Sequence, residues 1–139
     1  MSMIEGGCLC GAIRYSSGAT PLMTAVCSCK NCQRQTGTSF SVVLAMPKGS
    51  IQYEGASLAT YEDTGSSGQS VLRQFCPKCG SPIMSTLAVT PALEWLKAGT
   101  LDDATWVKPT VAVWCQSAQP WVDLGQDVAH FAQNPPRGA

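Results

Sequence analysis

Seven of the eight cysteines fall into three tight groups: Gly7-Cys8-Leu9-Cys10-Gly11, Cys27-Ser28-Cys29-Lys30-Asn31-Cys32 and Cys76-Pro77-Lys78-Cys79-Gly80. Thiols this close in sequence rarely bridge one another, but they readily share a metal, and CxC and CxxC are zinc-ligand spacings. In the third group Pro77 fixes one backbone angle and Gly80 permits a positive one. The resulting tight turn faces both thiolates toward one ion and aims backbone N–H groups at the sulfurs. One such turn supplies two of the four ligands a structural zinc needs. Cys8 and Cys10 offer another pair, with Gly6, Gly7 and Gly11 giving the backbone freedom to converge. A site built from both pairs would close a loop of about seventy residues, a large constraint on the unfolded chain. Cys27, Cys29 and Cys32 then remain as three thiolates without an evident fourth. Three protein ligands and an open position are the mark of a catalytic zinc, where water, hydroxide or a substrate atom binds and an incoming thiol is deprotonated. Spacing alone leaves two other arrangements standing: the CxC pair can join the CxCxxC group, and all seven cysteines can serve structural sites.

The remaining chemically interesting residues read more plainly. Cys115, in an apolar strand-like stretch, is expected to be a small buried hydrophobe. His130, the single histidine, can close the second site but reads better as a surface or packing residue. Lys30 and Arg34 sit beside the trio. They either offset the negative charge of three thiolates around a dication and meet a substrate carboxylate, or are solvated surface charges, the reading preferred here. Asp102 and Asp103 are expected to shape a turn, and Trp114 and Trp121 to belong to the core.

The elements that must position these groups are short. Strand-like runs bounded by Gly, Pro and Ser occur at 12–15, 23–27, 40–46, 71–75, 83–87, 93–97 and 110–114. Residues 51–53 and 58–61 read as a hairpin around Glu54-Gly55, and 63–69 as an exposed loop. A short helix is expected over 30–36 with Gly37 as its C-terminal cap, and one or two helical turns over 127–133 before Pro135. The expectation is a mostly β, mainly antiparallel fold with short helical segments, stabilised by metal clips because short strands bury little core per residue. At 139 residues and 45% hydrophobic composition, 1–139 reads as one domain, with its core at about 5–133 and a loose tail at 134–139. Nine basic residues balance nine acidic ones and only 13% of residues are charged, so no footprint for nucleic acid or an anionic membrane is visible. With no apolar leader at the start and no long apolar run, a cytoplasmic location is expected, where thiols stay reduced.

Taken in order, the motifs resemble the family of glutathione-dependent formaldehyde-activating enzymes, which also includes centromere protein V. The resemblance is carried by Gly6-Gly7-Cys8-Leu9-Cys10-Gly11-Ala12-Ile13-Arg14-Tyr15, by Cys27-Ser28-Cys29-Lys30-Asn31-Cys32-Gln33-Arg34 with Gly37, and by Phe75-Cys76-Pro77-Lys78-Cys79-Gly80-Ser81-Pro82. Ala98-Gly99-Thr100-Leu101-Asp102-Asp103 and Pro120-Trp121 extend it. The resemblance implies a β-tent fold of folded-over antiparallel sheets. It implies a structural zinc on Cys8, Cys10, Cys76 and Cys79, and a second, open zinc on Cys27, Cys29 and Cys32. It further implies a carbon–sulfur lyase that forms or cleaves S-hydroxymethylglutathione, with a small thiol such as glutathione and a small aldehyde as partners. The alternative is a non-catalytic, zinc-stabilised binding module.

Overall fold

Residues 3–135 are described by a computed structural model. Strands β1 (Ile4–Gly7), β2 (Ile13–Ser17) and β5 (Gln52–Gly55) form a small antiparallel sheet in the order β1-β2-β5. The large sheet has eight strands. β3 (Met23–Cys27), β4 (Ser41–Pro47), β9 (Leu93–Lys97), β8 (Pro82–Leu87), β7 (Ser70–Phe75) and β6 (Ala59–Thr64) follow one another across it. β10 (Val111–Val113) and β11 (Ala129–His130) extend the other side of β3, both in parallel register. One helix, α1 (Lys30–Thr36), joins β3 to β4. Among the described residues no helix is long and apolar enough to cross a membrane.

A three-stranded sheet is marginal by itself, and the core lies where it packs on the large one. Ile4 and Tyr15 from the small sheet meet Leu44, Met46, Ile83, Met84 and Leu96 from the large sheet. Side chains alternate along a strand, and residues directly opposite across two strands share a face. With Leu44 and Met46 committed to this core, Ser41, Val43 and Ala45 of β4 point the other way. The register carries that second face across the sheet, from Cys27 opposite Ser41, through Val43 opposite Lys97, to Ser85 opposite Arg73. One face of the large sheet therefore holds the apolar core, and the other brings cysteine and buried charge together.

At Gly6, β1 packs closely against the short helical turn that follows β9. A Cβ there would lie 2.3 Å from the Thr100 carbonyl oxygen and 2.4 Å from the Tyr15 hydroxyl. Gly6 thus serves close packing within β1, where the sequence had suggested freedom to bend. Gly6→Ala is expected to destabilise the protein by about 1–3 kcal/mol, since the neighbouring backbone must move. A denaturant titration will show the midpoint falling, and an unchanged midpoint would refute the close approach.

Two sequence expectations are corrected. β5 and β6 do not form a hairpin: β5 pairs with β2, Tyr15 opposite Tyr53, while β6 pairs with β7. The Glu54-Gly55 turn signal is real, with Gly55 at φ +94°, but a turn does not say which partner each strand finds. Residues 127–133 are not helical. A segment this short is a weak isolated helix, and the open edge of β10 captures it: Ala129 N–H donates to Thr110 O at 2.9 Å and Phe131 N–H to Ala112 O at 2.9 Å. Of the tail, Asn134 is tied down by the Trp114 indole N–H at 3.1 Å, and 136–139 lie outside the described residues.

Candidate metal centres

The first centre joins the two sheets. Cys8 and Cys10 lie in the turn after β1, and Cys76 and Cys79 in the turn between β7 and β8. The four sulfurs lie within 4.8 Å of one another. Sγ of Cys10 is 3.6 Å from that of Cys8 and 3.8 Å from that of Cys76. A tetrahedral zinc with bonds of about 2.3 Å has sulfur–sulfur edges of about 3.8 Å, so this set fits a metal ion. Gly80, at φ +80°, makes the turn and donates its N–H to Cys76 O at 2.9 Å. The Lys78 N–H points at Cys76 Sγ at 3.4 Å and the Ile13 N–H at Cys8 Sγ at 3.3 Å. Hydrogen bonding by the Ser81 hydroxyl and backbone lowers the Cys79 pKa to about 5. Cys10, against a hydrogen bond from the Ala12 backbone, is pushed up to about 11 by burial and the neighbouring thiols, so full deprotonation of the set needs a cation among the sulfurs.

The second centre sits at the end of β3 and the start of α1. The sulfurs of Cys27, Cys29 and Cys32 also lie within 4.8 Å of one another. No fourth Cys, His, Asp or Glu joins them among the described residues. The local fold explains the convergence. Cys29 is the N-cap of α1, with extended backbone, and its sulfur accepts from the Cys32 N–H at 3.3 Å. This cap brings Cys29 and Cys32 together within the first turn, and β3 delivers Cys27. At the other end Gly37, at φ 70°, caps the helix as expected. Gln33, buried at 7% exposure, staples the assembly by donating to Ser28 O at 2.8 Å and Ser117 O at 3.0 Å.

The charge environment fits a dication within the trio. Hydrogen bonds from Cys27 and Cys29, reinforced by the Lys97 and Arg73 charges, pull the Cys32 pKa far down. The same hydrogen bonds to Cys29 and Cys32, with burial, push Cys27 strongly up. One negative charge is easily held here, whereas three need a cation among them.

Lys97 and Arg73 are the residues the sequence reading missed. Each is only 6% exposed. Arg73 donates from Nε to Asp63 at 2.9 Å and from Nη1 to Cys32 Sγ at 3.8 Å. Asp63 also accepts from the Asn31 side chain at 3.0 Å, tying β6 and β7 to α1. Burial opposes the Arg73 charge, but Cys32 and Asp63 outweigh it and raise its pKa. Burial lowers the pKa of Lys97, whose ammonium donates to Ser41 Oγ at 2.8 Å. A cleft of about 290 Å³ is lined by Asn31, Arg34, Gln35, Tyr61, Asp63 and Arg73; the three cysteines do not line it, and Arg73, which reaches Cys32 Sγ, links it to the trio.

Lys30 and Arg34 are exposed, in keeping with solvated charges, though Arg34 borders the cleft. Cys115 is half-buried rather than buried, with its sulfur 3.7 Å from His130 Nδ1. His130 is exposed and away from the trio. Asp103 shapes a turn by accepting from the Thr105 N–H at 2.9 Å, while Asp102 forms a two-pronged ion pair with Arg14. Trp121 is 74% exposed and not part of the core; the chain around it, between the turn after β10 and β11, has no sheet partner to cover it. None of the eight cysteines forms a disulfide.

Among curated proteins none matches the chain. A solved crystal structure of a Rhodobacter sphaeroides protein, a structural-genomics target, is similar. Its TM-score is 0.57 at 19% identity, and the likeness covers 76% of this chain and 91% of that one. At that identity the likeness shows the fold. Residues 3–117 match the sequence profile of the glutathione-dependent formaldehyde-activating enzymes, and a match over most of its length shows that the chain belongs to that family.

Proposed function

We propose that the protein is a zinc-dependent carbon–sulfur lyase that forms or cleaves an S-hydroxymethyl adduct between a small aldehyde and a small thiol, formaldehyde and glutathione being the pair the family suggests. Cys8, Cys10, Cys76 and Cys79 would hold a structural zinc, and Cys27, Cys29 and Cys32 a second one. The observation that carries the reading is the second set, three converging sulfurs with no fourth Cys, His, Asp or Glu ligand among the described residues. When bound there, zinc supplies a Lewis acid that favours thiolate over thiol and polarises a carbonyl oxygen.

The chain's own residues do the rest. Cys27, Cys29 and Cys32 would hold the metal at the N-terminal end of α1, and Arg73 positions Cys32 through its Nη1 contact. The cleft lined by Asn31, Arg34 and Arg73 would receive the substrate. Arg34 has no ion-pair partner among the described residues, which leaves it free to meet a substrate carboxylate. In the forward direction the thiol sulfur bonds to the aldehyde carbon, the carbonyl π pair moves to oxygen, and the proton lost by the thiol ends on that oxygen. Nothing is oxidised or reduced. A chain whose eight cysteines form no disulfide suits a reducing compartment such as the cytoplasm.

The test is metal analysis combined with exchange spectroscopy by NMR on isotopically labelled formaldehyde and glutathione. Two zincs per chain and an interconversion rate well above the uncatalysed background are expected. Two zincs with only the background rate would leave a zinc-stabilised binding module instead.

A further inference from the structure

Two cations are buried beside the trio, and their partners differ. Arg73 is balanced by Asp63 at 2.9 Å. Lys97 has no carboxylate partner: the ion pairs among the described residues are Arg14 with Asp102 and Arg73 with Asp63. Burying an ammonium without a counter-charge is unfavourable, so its location is informative. Its hydrogen-bond acceptor, Ser41 Oγ at 2.8 Å, stands directly opposite Cys27 across β3 and β4. Burial and the nearby Arg73 charge act against the Lys97 charge, and Cys32, Cys27 and Cys29 act for it.

The charge count gives this a chemical meaning. Three thiolates around a dication carry a net −1. An anionic fourth ligand takes the centre to −2 in a poorly solvated site, which is unfavourable unless a cation is fixed nearby. A neutral fourth ligand leaves the charge unchanged. Resting on the zinc reading of the Cys27–Cys29–Cys32 centre above, we infer that Lys97, held by Ser41, is a specificity-determining residue that makes the open position of that centre select an anionic ligand over a neutral one. Lys97 touches neither substrate nor reacting atoms in this role. It acts through the field at the centre.

The experiment uses the full chain loaded with cobalt(II), whose visible spectrum reports the fourth ligand of each site without any turnover. Wild type, Lys97→Met, Lys97→Gln and Lys97→Arg are titrated with 2-mercaptoethanol as the anionic donor and with imidazole as the neutral one. The first, four-sulfur site gives an internal check on folding, and Lys97→Gln stands in if Lys97→Met does not fold. Both charge-removing variants are expected to weaken thiolate binding by about tenfold or more, the scale of one nearby charge at low effective dielectric. Imidazole binding should stay within about twofold on the same argument, and Lys97→Arg should keep the wild-type preference. Equal weakening of both ligands, no weakening of either, or a wild-type chain that takes up only one cobalt would each overturn the inference. Should the Lys97-dependent preference appear while formaldehyde and glutathione exchange only at background, the inference stands and the lyase reading falls.

Discussion

Cys76→Ser is expected to abolish cooperative folding. The side chain is fully buried and the replacement is nearly isosteric, so lost packing volume is not the cause. The cause is the lost clip. Cys76 and Cys79 belong to the large sheet's β7–β8 turn, and Cys8 and Cys10 to the turn that closes the small sheet. A metal among them would fasten a three-stranded sheet that is marginal alone to the body that covers its apolar face. Structural zinc binding contributes about 10–16 kcal/mol of apparent free energy in small zinc domains, against a total stability of about 5–15 kcal/mol for an ordinary domain. Loss of even half the binding energy exceeds what a short-stranded core can offset. Thermal unfolding of Cys76→Ser should show no sharp transition, and wild type treated with a strong chelator should behave the same way. Cys115→Ser is the control: it removes a half-buried thiol outside both clusters and should melt like wild type. A Cys76→Ser chain that melts with wild-type cooperativity would show that the four sulfurs are not a structural centre.

The candidate ligands were legible in the sequence because their geometry is local. A CPxCG turn needs a left-handed glycine four residues after its first cysteine, and Gly80 adopts φ +80°. The cap at Gly37 and the helix it ends were readable for the same reason. Arg73 and Lys97 were not. Arg73 reaches Cys32 across 41 residues, and Lys97 reaches Ser41 across 56. The available signal was a charge inside an apolar strand, as in Val71-Leu72-Arg73 and Leu96-Lys97. Strand alternation normally sends such a residue to solvent. Here both faces of the sheet centre are covered, so the outward face of the core is the inward face of the site. The strand partners were equally non-local: Tyr53 finds Tyr15, not a residue of β6, because burying both rings against the core outweighs the shorter connection.

Cys29→Ser should give the opposite result from Cys76→Ser, a folded protein that has lost the second metal and with it the proposed activity. The Cys29 sulfur does two things: it is one of three converging donors, and it caps α1 by accepting from the Cys32 N–H at 3.3 Å. Serine keeps the second role, since its hydroxyl is among the preferred caps, worth about 1 kcal/mol over alanine. It surrenders the first, since a neutral hydroxyl is a poor substitute for a thiolate on zinc. The surrounding fold does not depend on the lost donor: Gln33 still staples the helix through Ser28 O and Ser117 O, and Arg73 still pairs with Asp63. The melting midpoint should therefore stay within a few degrees of that of the wild-type protein prepared with one zinc, a shift of about 1 kcal/mol or less. Metal analysis should fall from two zincs to one, and adduct formation should drop to background. Cys29→Ala separates the two roles, losing the metal equally but with the added cost of the cap. Collapse of Cys29→Ser to the same extent as Cys76→Ser would mean that the trio also holds the fold together, and the division between a structural and a working centre would have to be given up.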